Sequence, residues 1–335
     1  MTNTDRNIIK SKKNVDAKDV LNINAMPAKT WYWLGVNSSE LSWNNSDETS
    51  LGENIITAEA GRKYPDVIFS FKDVATLYNN KKFIINAADD SEVCVIVNLN
   101  TINNIKVYYD IKVGKNAKVK LIELCKVDEN TIYSDINTSC EESGEFELIH
   151  MFAGKGNTPD KSKMGEIYSS VKVDLVGDKS DFTYNMGYLA QGYDNFDYNI
   201  VVNHIGKMTN CDIKVNGALK ENAHKVFRGT IDFKTGSSDS VGAETETVLM
   251  LGEEVVNKTV PVILCSEENV SGTHGASIGE LDEETLFYFE SRGIDKEKAE
   301  NIMARASVER LTGLIENEKV NDIIENTLQD VLGEE

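Results

Sequence analysis

The sequence predicts a mainly β protein that ends in a small α-helical domain. Three observations predict it. Short β-prone runs follow one another from about residue 55 to residue 270, Gly, Asn, Asp and Ser turn signals separate them, and after Gly279 the apolar spacing becomes helical. The three expected segments are a leader and tryptophan-bearing anchor over 1–54, a β core over 55–279 and a helical domain over 280–335.

Residues 1 to about 25 are polar and basic-leaning and read as a leader, with a short helix expected near Asp16 to Leu21. The stretch Met26-Pro-Ala-Lys-Thr-Trp-Tyr-Trp-Leu-Gly-Val-Asn37 crowds aromatic rings that favour burial, so it reads as an anchor on the main body. Ser38 to Gly52, rich in Ser, Asn and Glu, reads as a linker or loop. The core then runs through strands such as Val93–Leu99, Ile105–Ile111, Lys118–Leu124, Val171–Leu175 and Cys211–Val215, many alternating with period two.

A long succession of short strands suits a sandwich, a barrel or a solenoid. A pattern of Gly, polar, small, then strand recurs at Gly114, Gly144, Gly177 and Gly236, and Asn-Gly hairpin signals are scarce. Both points favour stacked coils, but spacing alone leaves solenoid and sandwich open. In the last segment Asp282 caps a first helix that Gly293 ends, and Asp295 caps a second. Ala299, Ile302, Met303, Ala306, Leu311, Leu314 and Ile315 follow helical spacing, as do Val320, Ile323, Ile324, Leu328 and Val331 in a third helix. Helices this short need a surface to dock on, either the β body or another protein.

Composition narrows the function. With 35 basic and 55 acidic residues the net charge is −20, a field that repels phosphate backbones and anionic lipid, so nucleic acid and membrane are excluded as expected partners. No run approaches the roughly 20 apolar residues of a membrane span, and the N-terminus lacks a signal-peptide core; a cytoplasmic protein is expected. The five cysteines are scattered, with no C-x-x-C pair.

Catalytic signatures are missing: there is no phosphate-binding P-loop, no G-x-S-x-G elbow and no H-E-x-x-H zinc motif, so no catalytic residue is assigned. One stretch, Pro261 to Gly279, gathers Cys265, Glu267, Glu268 and His274 at the junction of β core and helices. A thiol, an imidazole and a carboxylate ligate iron or zinc when they converge. On spacing alone a simpler account is preferred, in which His274 bonds a backbone carbonyl and Cys265 fills a core position.

The same stretch carries a family likeness. Thr273-His-Gly-Ala-Ser-Ile-Gly, followed by acidic residues, Leu286-Phe-Tyr288 and Ser291-Arg-Gly-Ile294, resembles the signature of the SufB/SufD iron–sulfur cluster assembly proteins. Val226-Phe-Arg-Gly-Thr-Ile-Asp-Phe233 and Asn203-His-Ile-Gly-Lys-Met-Thr-Asn210 are similar to further family segments, and the likeness spans about 26–310. It implies a right-handed parallel β-helix and a SufD-like, non-enzymatic scaffold. It implies two partners: a SufC-type ABC ATPase docked on the C-terminal helices, and a SufB-like paralogue, or a second copy of the chain in its place. His274 matches the histidine that SufD-like members place at the interface with the paralogue. The position of the SufB assembly cysteine falls near Val255, where there is no thiol. The isolated chain is therefore expected to hold no stable cofactor, and iron or an iron–sulfur cluster is expected only transiently at the paired interface. Candidate assembly residues are His274, Cys265 and Glu267. Candidate ATPase contacts are Phe287, Tyr288, Arg292, Ile294, Met303 and Leu311. On this reading the β body should stay folded without residues 280 onward.

Two other readings stand beside this one. One is a pure interaction module without a metal role, which a silent His274 substitution would favour. The other is a metal-dependent enzyme on a β-solenoid, which turnover by the isolated chain would favour.

Overall fold

The computed structural model describes residues 19–71, 76–156 and 164–333. It begins with a small antiparallel hairpin, β1 (Asp19–Ile23) against β2 (Ser39–Trp43). Residues 19–21 of the expected short helix are therefore strand, and the rest of that helix lies outside the described residues. The expected linker over 38–52 is also corrected: it contains β2 and the start of β3 (Glu48–Ala58). Both strands keep one face in water, so their Ser, Asn and Glu content reflects solvation of that face.

From β3 onward the chain winds as a parallel β-solenoid of two eight-stranded sheets. One sheet holds β3, β5 (Tyr78–Ala87), β7 (Asn104–Val113), β9 (Thr131–Cys140) and β11 (Glu166–Leu175), then β13 (Asn195–His204), β15 (His224–Phe233) and β17 (Val256–Cys265). The other holds β4 (Val67–Ser70), β6 (Glu92–Asn100), β8 (Lys118–Val127) and β10 (Glu145–Gly154), then β12 (Asp181–Ala190), β14 (Asn210–Lys220), β16 (Ser240–Leu251) and β18 (Val270–Glu280). Each strand pairs in parallel with the strand two places on. Asn195, for example, sits beside Glu166 on one side and His224 on the other, in steps of 29 residues.

The recurring glycine pattern marks the corners between coils. Asn116, Ser143, Lys179 and Met208 adopt positive φ there. Each donates its N–H to the corner of the next coil, Asn116 to the Glu142 carbonyl and Lys179 to that of Lys207. Stacking is so close that a Cβ on Gly177 would come within 1.9 Å of the Glu142 nitrogen. The lumen is filled by inward residues of both sheets, with Phe146 stacked on Phe182 at 5.5 Å and Phe152, Tyr184, Phe196, Tyr198 and Phe227 around them. This choice of stacked coils over a sandwich was open at the level of spacing and matches what the family likeness implies.

Three helices follow: α1 (Glu283–Ser291), α2 (Lys296–Glu309) and α3 (Glu318–Leu332). Asp282 and Asp295 cap the first two as expected, accepting from the Thr285 and Lys298 N–H groups at 2.6 and 2.9 Å. Ala304, Val308, Leu311, Val320, Ile324 and Leu328 bury themselves against the outer face of the second sheet, on Ile122, Ile149, Met151 and Leu189. The apolar stripe of α2 and α3 is thus covered by the protein's own solenoid. Each buried Val, Leu or Ile among them contributes about 2 kcal/mol, so the helices hold that sheet face closed.

The hairpin lies along the outer face of the first sheet, across successive coils. Trp43 packs with Tyr78, Tyr133 and Tyr168. Asn24 bonds the Asp197 carbonyl of β13 at 3.0 Å, Arg228 of β15 donates to the Val36 carbonyl, and Lys258 of β17 reaches the Leu34 carbonyl at 3.2 Å. The anchor expected at 26–37 is in part corrected. Met26 and Val36 are buried, and Arg228 and Lys258 bond the Val36 and Leu34 carbonyls, while Trp31, Tyr32 and Trp33 are 68, 92 and 74% exposed.

Candidate functional site

Among the described residues β17 and β18 are the last strands of their sheets, and no strand pairs with the outer edge of either one. Their side chains stay half-buried or exposed, in contrast to every inner coil. Which residues face the lumen follows from the pairing. Glu244 and Glu246 of β16 are buried on the lumen side, and His274 and Ala276 are their partners in register. A Cβ on Gly272, two residues before His274, would touch Phe233 and Ile263 of the interior. His274 therefore caps the lumen face of the last coil. Cys265 pairs with Phe233, whose side chain is in the core, so it lies on the same face of β17.

Below this mouth sits a buried charged group that reasoning from the sequence missed. Lys225 of β15 forms an ion pair with Glu246 and lies 3.3 Å from the Thr259 hydroxyl, which donates to Glu246 at 2.6 Å. The Lys225 ammonium also faces the rings of Tyr188 and Phe227 at 5.6 and 5.7 Å. Burial lowers the Lys225 pKa, against the pull of Glu246. Burial, and secondarily the Glu246 charge, pushes the Glu244 carboxyl up to about 8. Beside them Asn257 has both amide atoms buried with no hydrogen-bond partner. The available signal was parity: Glu244 and Glu246 alternate with exposed residues on one strand and so share an inward face.

The predicted assembly residues separate into two places on this coil. The Cys265 thiol donates to the Glu267 carbonyl at 3.0 Å, in the turn between β17 and β18. The Glu267 carboxylate accepts from the Gly236 N–H at 2.9 Å and the Glu268 N–H at 3.1 Å, and these bonds, Gly236 first, hold its pKa down. Glu267 is thereby committed to tying the last two coils together. Cys265 is exposed, so the expectation that it fills a core position is corrected. Among the described residues no three His, Cys, Asp or Glu side chains gather as a metal site.

The other histidines behave as structural residues. His204 bonds Thr209 at 2.7 Å and the Cys211 sulfur at 3.3 Å, and burial lowers its pKa to about 4. His150 lies between Tyr184 and Glu123, 3.0 and 3.2 Å away, inside the core. A groove lined by the ion pairs Lys118–Glu145 and Lys120–Glu147, under residues 314–317, contains none of the predicted residues.

Of the candidate docking residues, Phe287 and Tyr288 on α1 are 71 and 56% exposed, and the Arg292 guanidinium lies over the Tyr288 ring at 5.2 Å. Ile294 and Met303 are half-buried. Leu311 is a correction: it is fully buried in the seam between helices and sheet, against Gly187, and presents nothing to a partner. No described helix is long and apolar enough to cross a membrane.

Fold and site together define a parallel β-solenoid protein with an open terminal coil that carries an imidazole and a thiol. The chain belongs to the SufBD family: residues 71–307 match the SUF system FeS cluster assembly, SufBD core domain. Within that family it is SufD-like. It is 30% identical over 139 residues to the iron–sulfur cluster assembly protein SufD of Bacillus subtilis, covering 42% of this chain and 32% of that protein. It is 28% identical over 100 residues to SufD of Escherichia coli, covering 30% of this chain and 24% of that one. The matched stretches thus span about a third or less of those relatives' length.

Proposed function

We propose that this chain is a scaffold subunit of an iron–sulfur cluster assembly complex, without catalytic activity of its own, working in the cytoplasm. The observation that carries the reading is the placement of His274, inside the SufBD core match, on the lumen face of an uncovered last coil. Open parallel edges are templates for another chain. A SufB-like paralogue, or a second copy in its place, extends the sheets at β17 and β18 and brings the assembly thiol that this chain lacks at Val255. The growing cluster is cargo of that joint site, with His274 as the residue offered by this chain and Cys265 beside it. A SufC-type ABC ATPase supplies the hydrolysis and docks on α1, where Phe287, Tyr288 and Arg292 form an exposed aromatic and cationic anchor of the kind that dominates interfaces.

The test is purification of the tagged chain from its native host under anaerobic conditions, with mass spectrometry and iron and sulfide analysis. A paralogous solenoid and an ABC ATPase should accompany it. A chain that purifies alone and free of iron refutes the reading.

A further inference from the structure

The terminal coil has a second feature that edge pairing does not use. β17 and β18 together carry only Lys258, His274 and Glu280 as basic or acidic side chains, in a protein that is 27% charged. Charge-poor surface of this kind marks the core of an interface. The hairpin places aromatic side chains beside it. Between β1 and β2 the chain makes a 3-10 turn over Tyr32–Leu34, closed by Gly35 at φ +62. Trp31 and Trp33 stack on each other at 5.1 Å, and both are mostly in water. The turn is held level with the last strand by the bond from Lys258 to the Leu34 carbonyl. The base beneath it is rigid: buried Arg228 grips Asp197 at 2.6 and 3.1 Å and reaches Ser39 at 3.1 Å.

Leaving two tryptophans and a tyrosine exposed forgoes several kcal/mol of burial, which Trp43 at the other end of the hairpin obtains in full. We propose that the Trp31–Trp33 tip is the second half of the terminal-coil interface and packs onto the outer face of the paralogous solenoid that pairs with β17 and β18. The inference rests on the pairing proposed above. An edge alone fixes only backbone direction and register. Rigid aromatic anchors on one flank select which sheet face the incoming chain presents, and they add desolvated contact of hot-spot type. The occupant is the paralogue seated on the β17 edge, because the bond from Lys258 to the Leu34 carbonyl keeps the tip beside that edge, where the incoming solenoid must pass it.

The experiment labels the full chain with 5-fluorotryptophan and titrates it with the unlabelled paralogous chain. Three fluorine resonances result, and fully buried Trp43 is the internal reference for an intact fold. The Trp31 and Trp33 signals should shift on binding while Trp43 holds still. Trp31→Ala/Trp33→Ala should weaken binding at least tenfold by calorimetry. Ala276→Lys/Ile278→Lys, on exposed positions of β18, should weaken it too. Unmoved tip signals and unchanged affinity of the tryptophan variant, with the lysine variant impaired, would overturn the tip proposal and leave edge pairing standing. Wild-type affinity in the lysine variant, or no binding of the paralogue at all, would overturn the pairing and the tip proposal with it. Tip signals that shift when the chain alone is concentrated would place a second copy on the tip and overturn the choice of partner.

Discussion

His274 lies directly beside Glu244 in the register of β18 on β16, so an exposed imidazole sits over a buried carboxyl whose pKa is raised to about 8. The pair joins the surface of the last coil to the charged group below it, in which Lys225 and Glu246 are the other members. Burying charge without full compensation costs stability.

Glu244 makes stability depend on pH in a defined direction. Its folded pKa of about 8 exceeds the unfolded value of about 4.3, so the folded state holds a proton that the unfolded state has lost. Stability is fully present below that unfolded value and declines as pH rises toward 8. Asp194, raised to about 8 by burial, acts with the same sign. His204, lowered to about 4, acts oppositely between about 4 and 6.5. Glu244→Gln should therefore flatten the loss of Tm between pH 6.5 and 8, and Asp194→Asn should do so additively. An unchanged pH slope in both variants would contradict the assignment.

Arg228 and Asp197 fix the hairpin to the solenoid. Removing the guanidinium leaves a buried carboxylate unpaired, so Arg228→Ala should cost about 3–5 kcal/mol. Amide exchange over 19–43 should accelerate first, because that segment loses its bonds at Val36 and Ser39. Exchange in β8 and β10 should change least.

The isolated chain should hold no stable cluster. Burial pushes the Cys94 thiol up to about 12 and raises Cys125, Cys140 and Cys211 as well, disfavouring the thiolate that iron needs. Anaerobic reconstitution with iron and sulfide should leave little visible absorbance after desalting. A stoichiometric, cysteine-dependent cluster on the lone chain would contradict this.

Docking of the ATPase is tested at α1. Phe287→Ala/Tyr288→Ala should weaken ATPase binding by about 30-fold or more in calorimetry, equivalent to about 2 kcal/mol at a hot spot, with unchanged circular dichroism. Removing everything after Glu280 is a different perturbation. It strips α2 and α3 from Ile122, Ile149 and Leu189, so the truncated chain should aggregate rather than stand as a free β body.

Much of this architecture was legible in local sequence. Alternation showed the strands, and Asp282 and Asp295 showed the helix starts, because these signals act over a few residues. The choice of stacked coils was not legible from spacing, since strands two places apart pair across 29 residues. Leu311 looked available because helical periodicity says that a face is apolar without saying what covers it. Lys225, Glu244 and Glu246 were invisible as a group because they come from two sheets that meet only across the lumen. Trp31 and Trp33 contradicted the general preference of aromatics for burial, which is why their exposure is informative.

Under the proposed function His274 is this chain's contribution to a cluster-building site completed by a paralogue. The most direct measurement is the iron and sulfide retained by the complex of chain, paralogue and ATPase, reconstituted anaerobically with wild-type chain or His274→Ala. The assembled complex should have the same size in both cases, with a several-fold lower cluster content in the alanine variant. Equal cluster content in the two complexes would contradict this and leave His274 a bystander on the last coil.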